Sequence, residues 1–489
     1  MTDSEQTDIS KNVNRGLAWV GLASSSVGLL DFVAQVVILA LWISPEQYGI
    51  AALAITLFPV LDKATDLGLS AAVIQRDDHT AEKISTVFWL NVAMSLSIFV
   101  LLWLAIGPGL SRLHGHQIIG DMLTVYGFKL LWQNVYSMPW ALMTKDLRFK
   151  ELSVIRIVAN VAEFASKVTF AATGFGIWCF VLGPMCRVVV TGVGIQMCNP
   201  WRPLFVLRLR EGMDWLSFGL KSSASKILFY IYTNADYQVV GYYFGAEANG
   251  FYRLAYEIVL EPCRVISDVI IAIAFPAFSK LKNYREKVVD QFIAFTRLNL
   301  VVMIAFLGVV FLTADDLIYL FWGERWMAAV TATRILCFVG VLRALSFVVP
   351  PLLDGMGRPQ LTLNYTLVAT AIIPATFVAG AVLLGPSLGE VSVAVAWAVG
   401  YPIAFAVLFA MALNLLELPL RTYLRRSLGI PLLAVVAMAA AATARWALLD
   451  AHPVLRLSVT TAVMATVFFV LLAYREGISP RSVIKAIRG

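Results

Sequence analysis

Five ionisable side chains recur at helical spacing in one stretch. Arg253, Glu257, Glu261, Arg264 and Asp268 are separated by steps of 4, 4, 3 and 4, which puts all five along one face of a helix. Arg156, Asn160, Glu163 and Lys167 repeat the pattern with steps of 4, 3 and 4. Asp62 and Asp66 are four apart, and Lys63 reaches Asp66 at i+3. Lys221, Ser225, Tyr232 and Asp236 fall near one face, with Lys226 to its side, and Ser24, Ser25, Gly28, Asp31 and Gln35 mark another. Such stripes have two uses: they pin helices together as ion pairs, or they line a wet cavity that holds a charged ligand.

Bond-making chemistry has no comparable signature. The chain carries no HExxH, GxSxG or GxxxxGK[ST] pattern. Its five cysteines (Cys179, Cys186, Cys198, Cys263 and Cys337) are odd in number, form no CxxC and lie in or beside apolar segments. His114 and His116 sit together between apolar stretches and read as a solvated loop. The run from Asp354 to Pro359 reads as a glycine stop before proline. No catalytic residue, metal site or cofactor is expected.

The elements that must carry these stripes follow from composition. Of 489 residues, 60% are hydrophobic and only 14% charged, against about 45–50% and about 25% in soluble domains. That is too little polar surface for a water-soluble globule. The chain reads as an all-α, polytopic membrane protein; disordered, collagen-like and nucleic-acid-binding classes drop out. The net charge of +7 is assigned to cytoplasmic loops, which collect Lys and Arg.

A membrane helix needs about 20 mostly apolar residues. Fourteen stretches qualify: 16–42, 46–74, 84–106, 117–140, 152–173, 176–197, 213–242, 250–279, 287–313, 327–352, 361–384, 390–415, 427–447 and 456–474. Charges interrupt the second and eighth. The loops are short, and the polar, acidic start MTDSEQTDIS is no signal peptide. With the N-terminus inside, inner segments hold 22 Lys and Arg and outer segments hold 4 (Arg112, Arg325, Arg445 and Arg456), so both termini are expected in the cytoplasm.

Twelve bases and eight of the acids in these spans (Asp31, Asp62, Asp66, Glu163, Asp236, Glu257, Glu261 and Asp268) are read as lying at membrane depth. Each costs about 2.5–3.5 kcal/mol at membrane depth on insertion scales. Pairing leaves about four positive charges over, which points to an anionic ligand. Residues 361–384, 391–416, 427–444 and 457–474 contain no Asp, Glu, Lys or Arg, and the last two spans are expected to face lipid as an appended pair. Prolines 59, 139, 184, 262, 276, 350, 374 and 402 fall inside spans and tend to kink them.

A faint repeat runs at an offset of 201: Pro45–Gly49 aligns with Ala246–Gly250, Leu53-Ala54 with Leu254-Ala255, Lys63 with Arg264, and Ala71 with Ala272. It overlays spans 1–2 on spans 7–8 and implies two six-helix lobes related by an axis along the membrane normal. The expected domains are residues 1–212, 213–416 and an accessory segment 417–489.

The segment from Leu41 to Gly49, then Asp66-Leu67-Gly68-Leu69, Ala71-Ala72-Val73-Ile74-Gln75-Arg76 and the run from Ser85 to Asn91 resemble Wzx-type polysaccharide exporters of the multidrug/oligosaccharidyl-lipid/polysaccharide superfamily, as does the Gly355–Arg358 turn. The resemblance is sharpest over residues 15–95. It implies a MATE-like fold, two lobes around a central cavity, in the bacterial inner membrane. It also implies flipping of an undecaprenyl-diphosphate-linked oligosaccharide to the periplasmic leaflet, with the polysaccharide polymerase and chain-length machinery as possible partners. No family motif assigns a residue. The stripes themselves suggest Lys63, Arg264, Lys221 and Lys226 for the diphosphate, and Tyr230, Tyr232, Tyr237 and Tyr256 for sugar rings. Arg156, Glu163, Lys167, Arg253, Glu257, Glu261 and Asp268 would line the cavity, and Asp31, Asp62 and Asp66 are candidates for ion coupling. A cation antiporter of the same fold would favour an acidic lumen, and a glycan-assembling membrane enzyme would carry a large external loop; the basic excess and the short loops disfavour both.

Overall fold

The computed structural model describes residues 26–66, 73 and 80–476; side chains at Asp66, residues 209–223, Asp268, Val269 and Ala272 fall outside this description. Among the described residues every regular element is helical. Helix α1 is Ser26–Leu41 and α2 is Pro45–Thr65, with a turn at residues 56–57. They are followed by α3 (Ala81–His114), α4 (Gln117–Lys145), α5 (Phe149–Ala172), α6 (Cys179–Cys198), α7 (209–244) and α8 (246–281). The remainder comprises α9 (Arg285–Trp322), α10 (Ala329–Gly355), α11 (Pro359–Leu388), α12 (Val391–Leu415), α13 (Gly429–Trp446) and α14 (Pro453–Glu476). The fourteen expected spans map onto these fourteen helices.

Nine of them are long and apolar enough to cross a membrane by themselves. Helix α1, Ser26–Leu41, is apolar but shorter. The other four, α4, α5, α7 and α8, are long enough but less apolar: charged stripes mark α5 and α8, while Asp121, Lys129, Gln133 and Asn134 interrupt α4 and Asn234, Asp236 and Gln238 interrupt α7. Polar faces on helices this long turn inward, away from lipid.

Local chemistry sets the boundaries. Ser44 and Gln47 form a reciprocal capping box, and Pro45 fills the first helical position of α2. Thr80 caps α3 through the Lys83 N–H. Helices α7 and α8 are separate helices divided at Gly245, whose φ of 87° and ψ of 179° suit glycine alone. Helix α9 overruns its expected end. A kink at Thr313 (φ −118°) coincides with the sequence-based stop at 313, but the helix then continues through Asp315 and Asp316 to Trp322.

By contacts the chain divides into two compact units, one ending at Gly250 and one starting at Phe251. In the first unit, α7 packs on α2: the Gln238 amide donates to Leu53 O (3.0 Å) and Thr56 Oγ1 (3.3 Å). The connection from α6 to α7 is strapped to α3. Ser85 Oγ accepts from the Leu204 N–H (2.9 Å), Trp89 Nε1 donates to Leu204 O (2.9 Å), and Arg208 pairs with Glu82.

In the second unit, α13 and α14 bury an apolar seam, including Ala434, Met464 and Phe468, against Leu300, Val301 and Ile304 of α9. Their outer flanks, such as Leu432 and Val470, remain exposed. The appended pair therefore faces outward on one side only. Ion pairs close both ends of the seam: Arg297 with Glu476, and Asp315 and Asp316 with Arg445 and Arg456. Arg297 and Asp316 are 19 residues apart, about 28 Å along a helix at 1.5 Å per residue, close to the roughly 30 Å hydrocarbon thickness.

The repeat motifs meet. A β-carbon on Gly49 would stand 1.6 Å from Ala246 O, and one on Gly250 would stand 1.9 Å from Pro45 O. At an offset of 201 these are the same contact made twice. Asn249 Nδ2 donates to Gly49 O at 3.0 Å. Gly49→Ala or Gly250→Ala should therefore cost more than the roughly 1–3 kcal/mol of ordinary overpacking, read as a lowered melting temperature of the detergent-solubilised protein. Gly109→Ala, with open space at its Cβ, should not lower it. Equal melting temperatures for all three would contradict this packing.

Candidate functional site

The charged side chains of the first unit converge from five helices. Asp62 of α2 accepts from Lys129 Nζ (2.6 Å) and Tyr126 OH (3.0 Å) of α4, and Lys129 also donates to the Tyr126 hydroxyl (2.7 Å). Phe58 stacks on Tyr126 with ring centres 3.5 Å apart, which fixes the phenol against α2. Glu163 of α5 is buried between Lys167 Nζ (2.7 Å) and Arg187 of α6 (2.9 Å). Lys167 reaches Asp31 of α1 at 3.8 Å. Lys129, itself only 3% exposed, feels the charges of both Arg187 and Glu163. Three acids and three bases thus form one network, with half-buried Arg156 about two turns before Glu163 on α5.

In the second unit the stripe on α8 pairs along its own helix. Arg253 bonds Glu257 at 2.7 Å, and Arg264 bonds Glu261 at 3.0 and 2.8 Å. Buried Arg343 of α10 donates to Tyr256 OH (2.7 Å) and lies over the Trp397 ring at 5.4 Å, so a cation–π contact and a hydrogen bond tie α8, α10 and α12 together.

The expected site residues divide accordingly. Asp31, Asp62, Glu163 and Lys167 join the first network; Arg253, Glu257, Glu261 and Arg264 form the pairs on α8. Lys63 and Lys226 are exposed. The side chains of Lys221, Asp66 and Asp268 lie outside the described residues. Tyr230 is half-buried, whereas Tyr232, Tyr237 and Tyr256 are packed inside and present no open ring face to a sugar in this conformation.

Asp62 takes a partner from α4 rather than from its own helix. Sequence spacing displays pairs three or four residues apart but not tertiary ones, which is why Lys129, Arg187, Tyr126 and Arg343 escaped assignment. The basic surplus also shrinks. Arg297 finds Glu476, an acid just beyond an expected span end, so one of the four surplus charges is met within the protein, while Arg334 only shares Asp315 with Arg445.

Fold and charge layout together define a multi-pass, all-helical membrane protein with ionised faces buried in its bundles. The description "Polysaccharide biosynthesis protein" belongs to the family model that matches residues 38–331; the match exceeds half the chain, and the chain belongs to that family. It is 26% identical over 389 residues to the lipopolysaccharide biosynthesis protein WzxC of Escherichia coli (strain K12), covering 76% of this chain and 77% of WzxC. The fold is shared with the solved lipid II flippase MurJ in an inward closed conformation, at a TM-score of 0.72, 14% identity and coverage of 94% and 99%. It is shared too with an inward-facing MATE family multidrug transporter of the MOP superfamily, at a TM-score of 0.60, 18% identity and coverage of 82% and 98%.

The buried pair at Asp62 yields a sign-definite prediction. Asp62→Asn strands a lysine that is 3% exposed and should cost about 3–5 kcal/mol. Lys129→Met strands an aspartate with solvent at hand and should cost less. The double variant should recover part of the Asp62→Asn loss. Unfolding of the purified protein checks the cycle; strictly additive losses would show that the pair is not coupled.

Proposed function

We propose that this chain carries a lipid-linked oligosaccharide across the bacterial inner membrane by alternating access, from the cytoplasmic to the periplasmic leaflet, with both termini in the cytoplasm. The observation that carries this reading is the set of four helices, α4, α5, α7 and α8, long enough to span but too polar, and in α5 and α8 too charged, to face lipid on every side. Membership of the polysaccharide biosynthesis family and the fold shared with flippases and transporters support it.

The physics requires such faces. An unpaired hydroxyl costs about 4–8 kcal/mol on transfer from water to cyclohexane, and a diphosphate far more. A hydrated path between helices removes most of that barrier while the lipid tail stays in hydrocarbon. The moving bodies are the lobes of residues 1–212 and 213–416, with 417–489 as the accessory segment.

Lys63 and Arg264, at matching repeat positions, are assigned to the diphosphate with Lys221 and Lys226. Exposed Lys63 has no acidic partner among the described residues, and Glu261 occupies Arg264 until a stronger anion displaces it. Half-buried Tyr230 is the tyrosine best placed to meet a sugar. The remaining residues of the stripes line the path, and Asp31, Asp62 and Asp66 are assigned to ion coupling. The role is transport rather than catalysis. The polymerase and chain-length machinery that consume the exported unit are its proposed partners.

Loss of one charge-assisted bond of about 1.5–3 kcal/mol lowers occupancy at least about tenfold. Lys63→Gln, expressed at the parental level, should therefore reduce glycan export about tenfold or more. Single repeat units should accumulate on the cytoplasmic leaflet, as they would on deletion of the gene. Arg264→Gln should do the same, also in a Glu261→Gln background that leaves no carboxylate stranded. Normal export by both variants would overturn the diphosphate assignment.

A further inference from the structure

Two of the four basic residues that lie outside by the charge count, Arg445 and Arg456, are neutralised within the protein. Asp316 is fully buried and pairs with both, while Asp315 accepts from Arg445 Nη2 at 2.6 Å and from Arg334 Nη2 at 3.1 Å. The cluster therefore holds three guanidinium groups and two carboxylates. Arg456 is further tied to Leu449 O at 2.9 Å. Arg334 is the loosest member: its side chain is 40% exposed, and beyond Asp315 it donates only a 3.3 Å bond from Nε to Phe311 O. Its Nη1 hydrogens are unspent among the described residues.

Beside this cluster a groove of about 400 Å³ opens between α9, α10 and α13. Arg334 and Arg445 line it together with Phe311, Leu312, Trp446 and Leu449. Its wall is thus apolar along the helices and cationic at one end. Trp446, 75% exposed, stands where α13 stops, the position that interfacial tryptophans take between headgroups and acyl chains. A surplus guanidinium next to an apolar trough at that depth matches one kind of molecule, an amphiphile with an anionic phosphate on an acyl chain.

We propose that this groove binds an anionic glycerophospholipid, with its phosphate on Arg334 and Arg445 and one acyl chain along Phe311, Leu312 and Leu449. The site is separate from the charged stripes of α5 and α8 and does not depend on the transported substrate. It would set the accessory helices α13 and α14 against α9 through a lipid as well as through protein contacts.

The test uses the full-length protein in nanodiscs containing equal amounts of phosphatidylglycerol and phosphatidylcholine, released into mild detergent, with the retained lipid quantified by mass spectrometry. The parental protein should retain phosphatidylglycerol about fivefold over phosphatidylcholine, the enrichment expected of one basic side chain near the membrane surface. Arg334→Gln should abolish that preference. It should still fold, because Arg445 and Arg456 then face Asp315 and Asp316 two against two. Trp446→Ala should shorten retention without changing headgroup preference. Unchanged preference in Arg334→Gln, or equal retention of both lipids by the parental protein, would overturn the proposal. So would displacement of phosphatidylglycerol by equimolar undecaprenyl diphosphate, which would reassign the groove to the transported class of lipid.

Discussion

The cost of an unpaired charge in hydrocarbon organises this protein. In water, Asp62 and Lys129 would gain little from each other; inside a helical bundle the buried Lys129 is not tolerable alone. The same constraint acts at Glu163, squeezed between Lys167 and Arg187, and at Asp316, closed in by two arginines. Each of these acids draws at least one base from another helix, so the constraint that threatens insertion also decides which helices are neighbours. Apolar packing cannot discriminate in this way, because lipid tails are as good a partner for leucine as another leucine is.

Much of this was legible in the residues. Apolar runs marked the helices because water-free surroundings force each spanning segment to satisfy its own backbone. Pairs within a helix, such as Arg253 with Glu257 and Glu261 with Arg264, were legible from steps of three and four. The Pro45–Gly49 and Ala246–Gly250 motifs were visible as a weak repeat, and the structure gives the reason for their glycines: each leaves room for a backbone carbonyl of the other segment.

What was not legible is tertiary. No spacing joins Asp62 to Lys129, which are 67 residues apart. Asp315 and Asp316 read as the beginning of a loop because two adjacent acids end an apolar run; only the arginines of α13 and α14, more than a hundred residues later, make them tolerable inside a helix. The tyrosines were over-assigned for the opposite reason. Tyr232, Tyr237 and Tyr256 look available in sequence, yet an aromatic ring with a polar tip also packs well in a bundle when its hydroxyl finds a donor, as Tyr256 does in Arg343.

The central claim is that the ionised faces border water rather than lipid, and thiol accessibility measures this directly. In a variant lacking the five native cysteines, Gly28→Cys places a thiol one turn before Asp31, where the side chain meets open space, and Val436→Cys places one on the exposed outer flank of α13. In intact membranes a membrane-impermeant maleimide should label the thiol beside Asp31 and leave the one on α13 unreacted. Failure to label the first, or equal labelling of both, would mean that the charges of this bundle do not border a hydrated path, and the account would fall.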